Sequence, residues 1–320
     1  MFCIYRKKIE ERMNLMSFFT HIKSLDNNFI SEIINNDLNK NSKRAKIFDV
    51  LVNNDYFLVD EVEISIPGEN KLLEYSDFIK LSNDDKIFFE KYSMMDRSTK
   101  GLAGAGEWKT LESVLPEFND KRILDLGCGF GWHCQYAVEH GAKAVTGIDI
   151  SEKMLTVAKE KTDNKIRYIR MPIEDISFSE NSFDAVISSL TFHYIESFER
   201  IVEKVSSCLV GGGAFVFSVE HPVFTAYGSQ DWYYDENGNI LHFPVDKYFF
   251  EGLRTANFLG EKVTKYHKTL TTYLNGLIQG GFELTDVVEP QPSAHLLQTV
   301  KGMADELRRP MMLIISAKKK

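Results

Sequence analysis

The sharpest chemical signal in the chain is the run Ile123-Leu124-Asp125-Leu126-Gly127-Cys128-Gly129-Phe130-Gly131. Apolar residues that break into alternate glycines read as a buried strand entering a tight loop, with a helix starting after it. Glycine permits the turn and lets the backbone come within van der Waals reach of a ligand. The helix start adds unpaired N–H groups and a positive dipole end. Asp149 closes the next apolar run, beside Ile150, and a carboxylate there can accept both hydroxyls of an adenosine ribose. The spacing also discriminates between ligands. A dinucleotide fingerprint G-x-G-x-x-G begun at Gly127 and Gly129 would need glycine at Trp132, where an indole obstructs close helix–strand packing. The chain has no G-K-[ST] phosphate loop either.

Other candidate groups are less specific. His133, His193 and His221 fall near the expected carboxyl ends of strands, where a neutral imidazole could take a proton from a hydroxyl, an amine or an acidic carbon. Each alone reads more readily as a structural histidine than as a base. His140, His242, His267 and His295 have no comparable placement, and His21 falls in the N-terminal stretch. Cys128 and Cys134 have no base partner in the sequence, which argues against a cysteine nucleophile. The four cysteines (Cys3, Cys128, Cys134, Cys208) form no CxxC pair and no metal spacing. No metal is expected, and the cysteine usage suits a reducing cytosol.

Positioning these residues requires a sheet. Strand-like runs at 122–126, 144–150, 165–171, 184–190 and 214–219 alternate with helical segments near 132–140, 152–161 and 198–209. That rhythm predicts βαβ units in a parallel sheet covered on both faces. Gly211-Gly212-Gly213 is expected to stop a helix before a strand. Two further strands are expected at 282–288 and 311–317, joined by a Pro-containing loop. The aromatic, turn-rich stretch 221–265 interrupts the alternation and reads as a lid over the sheet's carboxyl edge.

Composition bounds the rest. The 320 residues carry 46 acidic and 38 basic side chains, a formal net charge of −8. The first 60 residues are nearly balanced, so the negative charge lies on the remainder and disfavours a phosphate backbone as partner. Lys318 to Lys320 read as a solvated tail. No window resembles a signal peptide or a membrane span, so a cytoplasmic chain with no membrane partner is expected. Residues 1–85, rich in asparagine with apolar pairs at helical spacing, read as a mostly helical extension of unknown role.

Over roughly residues 86–320 the chain resembles the class I S-adenosylmethionine-dependent methyltransferases, most specifically at Asp125–Gly131. Gly104-Ala105-Gly106-Glu107-Trp108, Glu220-His221-Pro222 and Arg308-Arg309-Pro310 suggest their bacterial small-molecule, methyltransferase-type-11-like branch. The resemblance implies an α/β fold: a Rossmann-like, seven-stranded, mostly parallel sheet with helices on both faces. It implies that Asp125, Gly127, Cys128 and Gly129 surround the methionine part of S-adenosyl-L-methionine, and that Asp149 and Ile150 hold the ribose. Ile173 and Glu174 would flank adenine, Ser189 would underlie the methyl, and Trp108 or Tyr92 would close over the cofactor. Where many relatives carry an acid for the adenine amino group, this chain has Pro172.

The implied reaction is in-line displacement of a sulfonium methyl by a small-molecule acceptor, with His193 or His221 as base if one is needed. The competing readings are a catalytically inactive S-adenosylmethionine-binding or partner-binding module, a methyltransferase acting on protein or RNA, and a nucleotide-dependent oxidoreductase.

Overall fold

Side chains along a strand alternate between faces, and the central strands of this protein are apolar on both. In the computed structural model, which describes residues 86–320, Phe215, Phe217 and Val219 join one core while Ala214 and Val216 join the other. The expected extension over 1–85 and its boundary lie outside the described residues.

Helices α1 (Lys86–Ser93), α2 (Asp96–Thr99) and α3 (Trp108–Val114) lead into β1 (Arg122–Leu126). There follow α4 (Trp132–Glu139), β2 (Ala144–Asp149), α5 (Glu152–Lys161), β3 (Arg167–Arg170), β4 (Phe183–Ser189), α6 (Phe198–Cys208) and β5 (Leu209–Glu220). After α7 (Pro222–Ala226) come two hairpins, β6 (Tyr233–Tyr234) with β7 (Ile240–His242), and β8 (Gly252–Phe258) with β9 (Glu261–His267). Helix α8 (Leu270–Gln279), β10 (Phe282–Val288), α9 (Ala294–Thr299) and β11 (Met312–Lys319) complete the described chain.

The main sheet has seven strands in the order β10-β11-β5-β4-β1-β2-β3, and β11 runs antiparallel to both neighbours. Helices cover both faces. Phe198, Ile201, Val202 and Val205 of α6, at helical spacing, pack with Tyr273 and Leu277 of α8 on one side. Cys134 and Ala137 of α4, Leu155 of α5 and Leu111 of α3 pack on the other. Helices α5, α6 and α8 start on hydroxyl caps from Ser151, Ser197 and Thr269, the arrangement that satisfies otherwise orphaned N–H groups. Strand order reverses between β1 and β4, and ligands of such sheets bind in the crevice at that point. Among the described residues no helix is long and apolar enough to cross a membrane.

Three expectations need correction. Gly211–Gly213 do not stop a helix ahead of a strand; they lie inside β5. The partner of Phe183 is Leu209 and that of Ala185 is Ala214, so the glycines bulge out of the ladder, with Gly212 at φ +75°. Lys318 and Lys319 belong to β11 and are not a tail: Lys318 pairs with Ala214, and Lys319 Nζ donates to the Leu209 carbonyl at 2.7 Å. The Pro-containing connection before β11 carries α9 and a 3-10 turn at Met303–Arg308.

Candidate active site

The glycine loop is held by the end of β2. The N–H groups of Gly127 and Cys128 both donate to the Ile148 carbonyl at 2.8 Å. The Gly129 N–H donates to Asp149 Oδ2 at 2.9 Å, and the Ser151 N–H donates to Asp149 Oδ1 at 2.8 Å. Asp149 therefore braces the loop and the start of α5 together.

Two of the loop glycines are required for different reasons. Gly127 has φ +74°, and a Cβ there would lie 2.2 Å from Thr191 Oγ1, so the loops after β1 and β4 touch at the switch point. Gly129 has φ +52° and faces open space, its nearest prospective neighbour being Tyr92 Oη at 4.0 Å. A side chain at 127 would separate the loops; one at 129 would protrude into the cradle. The open cradle, with the carboxylate beside it, fits an adenosine-bearing cofactor whose methionine part lies along bare backbone.

The remaining cofactor candidates divide by burial. Asp125 is 1% exposed and accepts a hydrogen bond from Cys134 Sγ at 3.3 Å. Burial raises its pKa to about 7, with the Cys134 bond opposing. The side chains of Cys128 and Ile173 lie in the two cores. Trp108 is buried against Tyr136 and His133, at ring distances of 4.8 and 5.5 Å. Ile150, Glu174 and Ser189 are half-buried at the rim, with the Ser189 hydroxyl accepting from Ser218 at 3.1 Å. Burial raises the Glu174 carboxyl above its ordinary value. Tyr92 does stand by the loop, 5.8 Å from the Phe130 ring.

Both candidate bases already hold partners within the fold. His193 is 2% exposed, its Nδ1 accepts the Glu220 N–H at 3.3 Å, and burial drives its pKa down to about 3. His221 caps α7, accepting the Val223 N–H at 3.0 Å, and its Nε2 stands 2.9 Å from Glu289. Burial lowers its pKa too, against the pull of Glu289. Each imidazole accepts a backbone N–H and so helps fix the backbone around it. Among the described residues no cluster of three or more His, Cys, Asp or Glu could hold a metal.

Two features escape sequence reasoning. Arg97 is fastened by Glu107, Nη2 to Oε1 at 2.7 Å, and its charge bears on Tyr92, Tyr194, His133 and His193. Nothing in the sequence separates it from the other basic residues. The second is a closed triangle behind His193. Lys265 Nζ contacts Glu220 Oε1 at 2.6 Å and Gln230 Oε1 at 2.9 Å, and Gln230 Nε2 donates to Glu220 Oε2 at 2.7 Å. It ties the end of β5 to β9. The abrupt approach of an acid, an amide and a lysine so far apart in sequence leaves no local signal.

Comparison with known proteins agrees with this geometry. A family model described as a methyltransferase domain matches residues 124–217. A solved structure of a candidate S-adenosylmethionine-dependent methyltransferase from Listeria monocytogenes is 56% identical, covering 69% of this chain and 99% of its own, with a TM-score of 0.66. Another S-adenosylmethionine-dependent methyltransferase structure, from Mesorhizobium loti, is 42% identical, covering 68% and 100%, with a TM-score of 0.64. An uncharacterized Haemophilus influenzae protein is 33% identical over 253 residues, 75% of this chain and 98% of its own. The chain belongs to the S-adenosylmethionine-dependent methyltransferases. It is an enzyme that uses S-adenosyl-L-methionine as methyl donor.

Proposed function

We propose that residues 86–320 form a methyltransferase unit that transfers the methyl of S-adenosyl-L-methionine to a small molecule in the cytoplasm. The observation that carries the cofactor assignment is the Asp149 carboxylate bracing Gly129 and Ser151 beside the open face of Gly129. In this reading Asp149 takes the ribose hydroxyls, and Gly127 and Gly129 give their backbone to the methionine part. Ile150, Ile173 and Glu174 border the adenine, Ser189 lies under the sulfur end, and Arg97 supplies the cation that a methionine carboxylate needs. Bound there, the cofactor supplies a methyl on a cationic sulfur, already activated for displacement.

The chain's own contribution is alignment and exclusion of water. Phe89 and Tyr92 of α1 pack edge-on to Phe130 at 6.0 and 5.8 Å, covering the loop. Burial holds the Tyr92 and Tyr194 hydroxyls above the ordinary phenol value and the His133 and His193 imidazoles far below theirs, so all four are neutral at pH 7. Glu220 is ionised but committed to Lys265 and Gln230. No group in this set is a ready base, which supports an acceptor that needs positioning more than deprotonation.

What supports a small acceptor is the covered loop together with a net charge of −8. Calorimetry with S-adenosylmethionine should show binding that Asp149→Ala weakens strongly. Methyl-tritiated cofactor should label a protein-free, RNA-free metabolite fraction. Label entering RNA or protein instead would remove the small-molecule assignment.

A further inference from the structure

A cavity of about 510 Å³ opens between the lid and the segment leading into β11. Its size falls in the range of small-molecule sites. Trp232 and Ile240 line it from the lid, Leu296 from α9, and Met303, Met311 and Met312 from the chain before and at the start of β11. Gly106 and Glu107 form another wall, and Pro290, Gln291 and Pro292 complete the lining. Glu107 also fastens Arg97, the cation proposed above for the methionine carboxylate, so this wall adjoins that proposed site.

The acidic charges around it are cancelled one by one. Three acids line the cavity, and each is paired with an arginine: Glu107 with Arg97 at 2.7 Å, Asp305 with Arg308 at 3.0 Å, and Glu306 with Arg309 at 2.6 Å. The lining lysine, Lys301, is exposed. An ion-paired wall offers neither a free anion for a cationic ligand nor a buried cation for an anionic one. Methionine and tryptophan side chains then favour apolar matter that can vary in shape.

The same two arginines hold the lid wall in place. The Arg309 guanidinium lies 4.6 Å from the Phe224 ring, 5.1 Å from Trp232 and 4.9 Å from Phe243. Arg308 donates to the carbonyls of Leu241 at 2.6 Å and Ile240 at 3.5 Å. The β6–β7 hairpin is thereby stapled to the turn carrying Met303, and the cavity keeps its shape.

We propose that this cavity is the acceptor chamber and that the methyl acceptor is an uncharged, largely apolar small molecule. Resting on the methyltransferase reading, this identifies its substrate class. The neutral fluorophore N-phenyl-1-naphthylamine is the probe. The full chain should bind it with a rise in fluorescence, and Leu296→Arg and Trp232→Ala should each weaken binding at least tenfold. In both variants S-adenosylmethionine affinity by calorimetry should stay within about twofold, which also shows that they fold. Conversely, Asp149→Ala should lose cofactor and keep the probe. Cofactor binding unchanged in Asp149→Ala would sink the cofactor reading and leave the chamber standing. Failure of the probe to bind, or equal affinity in all variants, overturns the chamber. Transfer from methyl-tritiated cofactor into a solvent extract of cellular small molecules tests the class directly. The labelled product should partition into organic solvent and fall at least tenfold with Leu296→Arg; label confined to charged, water-soluble products would reject it.

Discussion

The glycine loop and the lid solve opposite problems with opposite materials. The loop is bare backbone, fixed by N–H bonds to Ile148 and Asp149 and backed by two cores. The lid is side chains: stacked rings, arginines and a buried triangle of Glu220, Gln230 and Lys265. A rigid loop can hold one cofactor in one pose. A side-chain-built lid can be re-cut by substitution without disturbing the sheet, so the donor and acceptor sides can change independently.

Substitutions that separate the two regions should rank accordingly. Gly127→Val drives a side chain into Thr191 from a left-handed backbone. It should cost about 4 kcal/mol and lower Tm by roughly 10 °C in a thermal melt. Asp149→Ala should weaken S-adenosylmethionine roughly 100-fold by calorimetry, the loss of a charge-assisted pair of bonds. Gly129→Ala should cost about 1 kcal/mol of stability while weakening the cofactor by about tenfold, because only the cradle is obstructed. If Gly127→Val and Gly129→Ala melt alike, the distinction between packed and open glycine fails.

A pH titration sharpens the picture from beneath the loop. Burial holds His133 and His193 near 3 against an ordinary 6.5, so acidification from about pH 6.5 loads protons onto the unfolded chain that the fold refuses. Stability is lost over that window as pH falls. Asp125, raised to about 7 from 3.8, has the opposite slope because the fold takes up the proton first. In urea melts at pH 7 and 5, His193→Asn should flatten the acid loss and Asp125→Asn should steepen it. Curves parallel to the unmodified chain would remove either group from the balance. The smallest effect belongs to the lid: Arg309→Lys loses the stacked guanidinium, about 1 kcal/mol, with cofactor affinity unchanged.

What was legible in the sequence follows the same division. Local chemistry announced the donor side: glycine at alternate positions, an acid ending the next apolar run, helix and strand periods in alternation. The seven-stranded, mostly parallel sheet agrees with the one expected, and its helices cover both faces. Asp125 was read with the loop because its neighbours are loop residues, yet strand alternation buries it under Cys134. Trp108, His193 and His221 are buried as well, and adjacency to a motif does not reveal which way a side chain packs. Arg97, Lys265 and the arginine staples depend on partners brought from distant elements, and no local period records them.

The antiparallel strand β11 has a kinetic consequence. It sits between β5 and β10, and Val219 of β5 finds its partner in Leu313, beyond the whole lid. Until that late segment arrives, β5 is an exposed edge carrying a run of phenylalanine and valine, the kind of strand that recruits other chains. Pairings of such long range also form slowly, because loop closure must precede any reward. The nascent chain therefore passes through a state whose sticky edge is hidden only by its own last described strand.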